Sequence, residues 1–195
     1  MMKLVRTADA ARLAGVLALV LTCGAVHAET KPTPAAPAAP APVSAEPQNT
    51  SASYGDWTVH CQRANDTAPR VCELEQSLQV QGQQSPIAQI AVGRPSFKDP
   101  MKIVVTLPSF VSFPSTVKLA LDEKDTQPVE LTWRKCMPGG CAADTDFKDE
   151  DIKKWKTQTA NGRLQFKDGN GREEILPFSF RGFAQAMDGL AKSAP

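Results

Sequence analysis

The sequence predicts a mainly β protein, an antiparallel β-sandwich of about eight strands with two short helices and two disulfides. Three observations carry that prediction. From Tyr54 onward, apolar residues recur with a period of two, as half-buried strands require. Turn-forming residues separate these runs at short intervals. Four cysteines, Cys61, Cys72, Cys136 and Cys141, follow a secretory-type leader, a setting in which thiols oxidise.

The first strand is read from Trp57, Val59 and Cys61 on one face and Thr58, His60 and Gln62 on the other. Val71 to Leu78 and Ile87 to Val92 follow. Ile103, Val105 and Leu107 share a face, as do Val117, Leu119 and Leu121, and Val129, Leu131 and Trp133. The last two strands, Leu164 to Lys167 and Glu174 to Phe178, flank Asp-Gly-Asn-Gly (residues 168–171), a two-residue hairpin signal because Gly and Asn tolerate positive φ. One helix is expected where acids (Asp149, Glu150, Asp151) precede bases (Lys153, Lys154, Lys156), the order a helix dipole favours. Ile152 and Trp155 would face the sheet, and Phe147 falls before the helix. A second, amphipathic helix is expected from Phe183, Met187 and Leu190 at i, i+4 and i+7.

Three regions precede or form this unit. Residues 1–28 read as a signal peptide: Lys3, Arg6 and Arg12 are followed by the apolar run Leu13 to Leu21 and by Val26-His27-Ala28. That run is shorter than the ~20 residues of a membrane-spanning helix, so no integral span is expected after cleavage. Residues 29–53 are an Ala/Pro-rich disordered linker, too poor in large apolar side chains to offset chain entropy. Residues 54–192 would be the folded domain. Removing Lys3, Arg6, Arg12 and Asp9 takes the chain from 22 basic and 21 acidic residues to 19 and 20, and no basic cluster points to nucleic acid.

Strand phase pairs the cysteines. Cys61 and Cys72 each share an inward face with apolar neighbours and are separated by a loop long enough to join adjacent strands. Cys136 and Cys141 are then left to each other across Met-Pro-Gly-Gly, where Pro138-Gly139 suits the centre of a type II turn. Loop-closure entropy gives these bridges about 3 and about 2 kcal/mol. The spacing fits neither a Cys-x-x-Cys redox centre nor a zinc clip, so the cysteines are read as structural.

Catalytic and metal motifs are not expected. His60 lies on the outward face of its strand, with no nucleophile elbow in the chain. Asp144, Asp146, Asp149, Glu150 and Asp151 resemble a calcium loop, but Asp149 and Trp155 stand where such a loop needs Gly and Glu; the acids read instead as a helix start. The most suggestive stretch is LPSFVSFPS, Leu107 to Ser115. Phe110, Val111 and Phe113 lie between prolines where a loop is ordinarily polar, and they form a candidate partner-binding loop or a plug for one end of the sandwich.

Taken together, YGDWTVHCQ, VCELEQSL, PIAQIAVG, CMPGGC and LPFSFRGFAQAMDGL resemble the bacterial invasion-associated locus B family, in order from Tyr54 to Leu190. The resemblance implies an exported envelope protein of mostly β fold, in a family named for a member implicated in pathogen entry into red blood cells. It implies no catalytic residues. The expectation is therefore a non-enzymatic interaction protein of the periplasm, or one that is secreted or associated with the outer membrane. Its partner would be an envelope or host-surface protein, with no metal or cofactor. The alternative is a periplasmic small-ligand or lipid carrier with a pocket between the sheets near Trp133 and Phe166.

Overall fold

The structure, a computed structural model, describes residues 47–193 other than 81, 83, 84 and 97. The predicted leader and the linker as far as residue 46 lie outside the described residues. The elements in order are β1 (Asn49–Tyr54), β2 (Trp57–Gln62), β3 (Val71–Leu78), β4 (Ala88–Gly93), β5 (Lys102–Leu107), β6 (Thr116–Ala120), β7 (Val129–Met137), β8 (Gly140–Asp146), α1 (Asp149–Lys156), β9 (Gly162–Lys167), β10 (Glu173–Phe178) and α2 (Phe183–Ser193).

All strand pairs are antiparallel, in one sheet ordered β1-β2-β3-β4-β5-β8-β7-β6-β9-β10. The sheet bends over so that β10 packs against β3. One continuous sheet therefore supplies both layers of a sandwich-like fold. The segment after β10 completes the closure: Trp57 Nε1 donates to the Ser179 carbonyl at 2.8 Å, and the Asp56 amide donates to the Arg181 carbonyl at 3.0 Å.

The predicted class holds, with ten strands in place of about eight. The two additional strands are β1 and β8. β1 takes in residues 49–53, which the composition assigns to the linker; its side chains are exposed, and its order comes from backbone pairing with β2. β8 contains Asp144 and Asp146, so those acids belong to a strand and only Asp149, Glu150 and Asp151 open the helix. Their partners are across the sheet: Lys102 on β5 lies 3.0 Å from Asp146, and Arg134 on β7 lies 3.0 Å from Asp144.

Alternation fills the interior as expected. Trp57, Val59, Leu74, Ile90, Ile103, Val105, Leu107, Val117, Leu119, Leu131 and Leu164 are all buried. An aromatic cluster lies under the helices. Trp155 of α1 has the rings of Phe147, Phe178, Phe180 and Phe183 around it at 5.0 to 5.3 Å, and Phe183 in turn meets Trp57 at 5.2 Å. Edge-on and tilted contacts of this kind suit the quadrupoles of the rings. α2 rests on β1, β2 and β3 through Phe183, Met187 and Leu190, the stripe its spacing predicts.

Both disulfides pair as the strand phase requires. Cys61 and Cys72 face each other across β2 and β3 with Cα atoms 4.0 Å apart, and Cys136 and Cys141 across β7 and β8 at 3.9 Å. The second turn differs in detail from the type II expectation. The left-handed φ falls on Gly140 (+136°) and not on Gly139. A Cβ at Gly140 would also stand 2.4 Å from the Leu107 carbonyl oxygen, so β8 can approach β5 here only with glycine.

Candidate functional site

β5 and β6 are consecutive in the chain but are separated in the sheet by β8 and β7. The link between them, residues 108–115, must therefore cross the end of the disulfide-closed β7–β8 hairpin. This crossover is the apolar LPSFVSFPS stretch.

Polar contacts pin it at intervals. Ser109 Oγ donates to the Met137 carbonyl at 3.4 Å, and the Ser112 amide donates to the Lys167 carbonyl at 3.1 Å. Val111 forms an isolated bridge with Asp168, Ser115 Oγ donates to the Ser112 carbonyl at 2.6 Å, and Trp133 Nε1 donates to Ser115 Oγ at 3.4 Å. The Phe113–Pro114 peptide is cis.

Burial divides the three apolar residues of the crossover, and not by alternation, since Val111 and Phe113 are two residues apart. Val111 turns inward and is 9 % exposed, so it anchors the loop in the core and is not a contact residue. Phe110 and Phe113 remain 60 % and 59 % exposed. Each is steadied on one side only. Phe113 tilts against Trp133 with centroids 5.5 Å apart, and Phe110 lies on the backbone of Gly169, where a Cβ would come within 2.5 Å of the ring. Met137, at the hairpin tip beside Ser109, is 56 % exposed and extends the apolar surface. Sequence reasoning missed Met137 and Gly169; the paired turn signals at residues 138–140 and 168–171 mark the two tips, but not that the crossover joins them.

The β9–β10 connection that carries Gly169 is wider than the two-residue hairpin its sequence suggests. The last strand pair is Lys167–Glu173, leaving Asp168 to Arg172 in the loop. The reason is Asp168, which is buried and accepts from the amides of Asn170 and Arg172 at 2.8 and 2.9 Å and from the Arg172 guanidinium at 2.8 Å. Burial pushes the carboxyl pKa up, but the hydrogen bonds from Arg172 and from the Asn170 amide outweigh it and hold the value below the ordinary one.

The other sequence-derived sites fare differently. Trp133 and Phe166, where a pocket between the sheets is expected, are partly buried and pack against the core. Trp133 is taken up by Phe113 and Ser115, and Phe166 borders an outer depression with Lys118, Lys167 and Glu173. His60 is exposed on the outer face of β2. It stands in register with Ser51 of β1 and Glu73 of β3.

The sequence profile of the Invasion associated locus B (IalB) protein family matches residues 57–191. The chain belongs to the IalB family. Two IalB relatives, the invasion protein B homologs of Brucella abortus strain 2308 and of Brucella abortus biovar 1 strain 9-941, are each 28 % identical over 139 residues, covering 70 % of this chain and 76 % of theirs. The crystal structure of invasion associated protein B from Bartonella henselae superposes with a TM-score of 0.60 at 20 % identity, over 73 % of this chain and 95 % of that one. At that identity the likeness establishes a shared IalB fold. The matched span holds the crossover, both disulfides and nearly all of α2, and excludes β1.

Proposed function

We propose that this IalB-family member is an exported, non-enzymatic interaction protein of the bacterial envelope, working in the periplasm or at the outer surface and engaging a protein partner through the crossover. One observation carries the reading: Phe110 and Phe113 stand largely in water on a crossover fixed to the ends of two strands, β7 and β9. Large apolar side chains held in that way offer contact area at little further ordering cost, the property of an interface anchor. The leader-like first 28 residues, the family membership and the two disulfides support export. Among the described residues no helix is long and apolar enough to cross a membrane.

A photo-cross-linking residue placed at position 110 in cells, compared with one at exposed Lys153 on α1, tests the reading. The expected result is a discrete adduct from position 110 alone, lost when Phe113→Ser is added in a variant that melts like the parent. Equal adducts from both positions, or none, would overturn it.

A further inference from the structure

The opposite end of the same strands carries a different feature. Glu73 pairs with Gly93, and Gly93 with Lys102, so the start of β3, the end of β4 and the start of β5 lie side by side. Leu78, Ala88 and Leu107 mark the other end, nearer the crossover. At ~3.3 Å per residue, the length of β5 puts the two ends roughly 20 Å apart.

Here α2 lies above the sheet and leaves a pocket of about 340 Å³ beside it. Val71, Met101, Met187 and Leu190 give it an apolar floor, and Arg70 and Arg94 add two guanidinium groups. No acidic side chain is among the described residues lining it. Arg94 is exposed and donates to the Asp99 main-chain carbonyl at 2.7 Å, a neutral acceptor that leaves its charge in place. An apolar floor with the Arg94 cation beside it, and no acid among the described lining residues, complements one kind of small molecule: an alkyl chain ending in an anion. Two methionines in the lining suit a flexible chain better than a rigid ring system, because they repack readily.

We infer that this pocket binds a single-chain fatty acid, with its alkyl chain along Val71, Met187 and Leu190 and its carboxylate on the Arg94 guanidinium. The site is separate from the crossover and does not depend on the partner-binding reading. At about 30 Å³ per water-sized group, the volume holds about ten chain atoms. Affinity should therefore rise roughly three- to fourfold per methylene up to that length and then level off.

The test is a titration of the full chain, methyl-labelled at methionine, followed by NMR. The probes are octanoate, decanoate and dodecanoate below their micelle concentrations, with decanol as the neutral match. The expected result is saturable shifts at Met101 and Met187, an unmoved Met137 at the far end, and decanoate binding at least tenfold tighter than decanol. Arg94→Gln, an exposed substitution, should remove most of that preference and leave decanol unchanged; Phe110→Ser with Phe113→Ser should change neither. Shifts of equal size at Met137 would mean detergent-like adsorption and would overturn the inference. So would no saturable shift, as when another segment of the chain fills the pocket, or an Arg94→Gln variant that keeps the full preference.

Discussion

Gln76 is 3 % exposed, one of two buried polar side chains among the described residues together with Asp168, and its amide is matched at both ends. Its Nε2 donates to the Ser179 carbonyl at 3.0 Å and to the Asp56 carbonyl at 3.3 Å, while its Oε1 accepts from the Ser179 amide at 2.8 Å. This one side chain stitches β3 to the segment after β10, where the two layers of the bent sheet meet. Gln76→Met keeps the volume but leaves the Ser179 amide without its partner, while the Ser179 carbonyl retains Trp57 Nε1. The expected cost is about 1–3 kcal/mol, since a buried donor loses its acceptor. Urea unfolding should show it as a lower midpoint with an unchanged slope. Strand phase puts Gln76 on the inward face with Cys72, Leu74 and Leu78. Its partner, 103 residues further along, is invisible to any local pattern.

At the scale of elements, the two disulfides sit on hairpins of different reach. The Cys61–Cys72 bridge closes a separation of 11 residues and the Cys136–Cys141 bridge one of 5. Loop-closure entropy then predicts losses of about 3 and about 2 kcal/mol for the paired Cys→Ser variants, read from urea midpoints with each variant monomeric and folded. An equal loss from both would mean that the hairpins hold their shape in the denatured chain and that loop length is not the controlling variable. What the sequence made legible follows the same logic of reach. Strands whose inward residues are large, such as β2, β5 and β6, were readable from alternation, and so were both helices and both bridges. β8 was not, because its buried positions, Gly140, Cys141 and Ala143, are small and do not alternate with exposed ones, and its acids gain meaning only from Lys102 and Arg134 on the neighbouring strands. β1 was hidden for a related reason: an exposed edge strand needs no apolar face, and Asn-Thr-Ser-Ala-Ser matches the linker in composition. The crossover was recognisable as anomalous, yet the division of Val111 from Phe110 and Phe113 depends on where β7, β8 and β9 end. The apolar pocket, assembled from β3, α2 and the turns around Arg70 and Arg94, left no contiguous trace.

Across the whole molecule, three aspartates have pKa values held below the ordinary one, and two of them, Asp56 and Asp188, tie together parts that are distant in the chain. The Arg181 side chain is the main cause for Asp56, which joins the β1–β2 turn to the segment after β10. Lys156 is the main cause for Asp188, which joins α2 to α1 at 2.6 Å. For Asp168, burial acts upward and the Arg172 and Asn170 hydrogen bonds more than offset it, beneath the crossover. A carboxyl with a depressed folded-state pKa gives up its proton more readily in the folded chain than in the unfolded one. Its contribution is complete above the unfolded value, about 3.9, and is lost as pH falls through the folded value. These three groups should therefore add no slope above about pH 5 and a steep loss of stability below about pH 4. Lys102 has the opposite sign: its hydrogen bond to Asp146 raises its pKa, so its contribution persists to high pH and fades only as pH rises through that raised value. Asp56→Asn with Asp188→Asn should therefore lower the urea midpoint at pH 7 by the amount the acid limb then no longer loses, a modest one because the Asp56–Arg181 and Lys156–Asp188 pairs are solvent-facing. The same double variant should flatten the acid limb between about pH 4 and pH 2, where the parent is expected to lose stability. An unaltered acid limb would assign the loss to Asp168, and so to the β9–β10 loop beneath the crossover and not to the contacts that close the sheet.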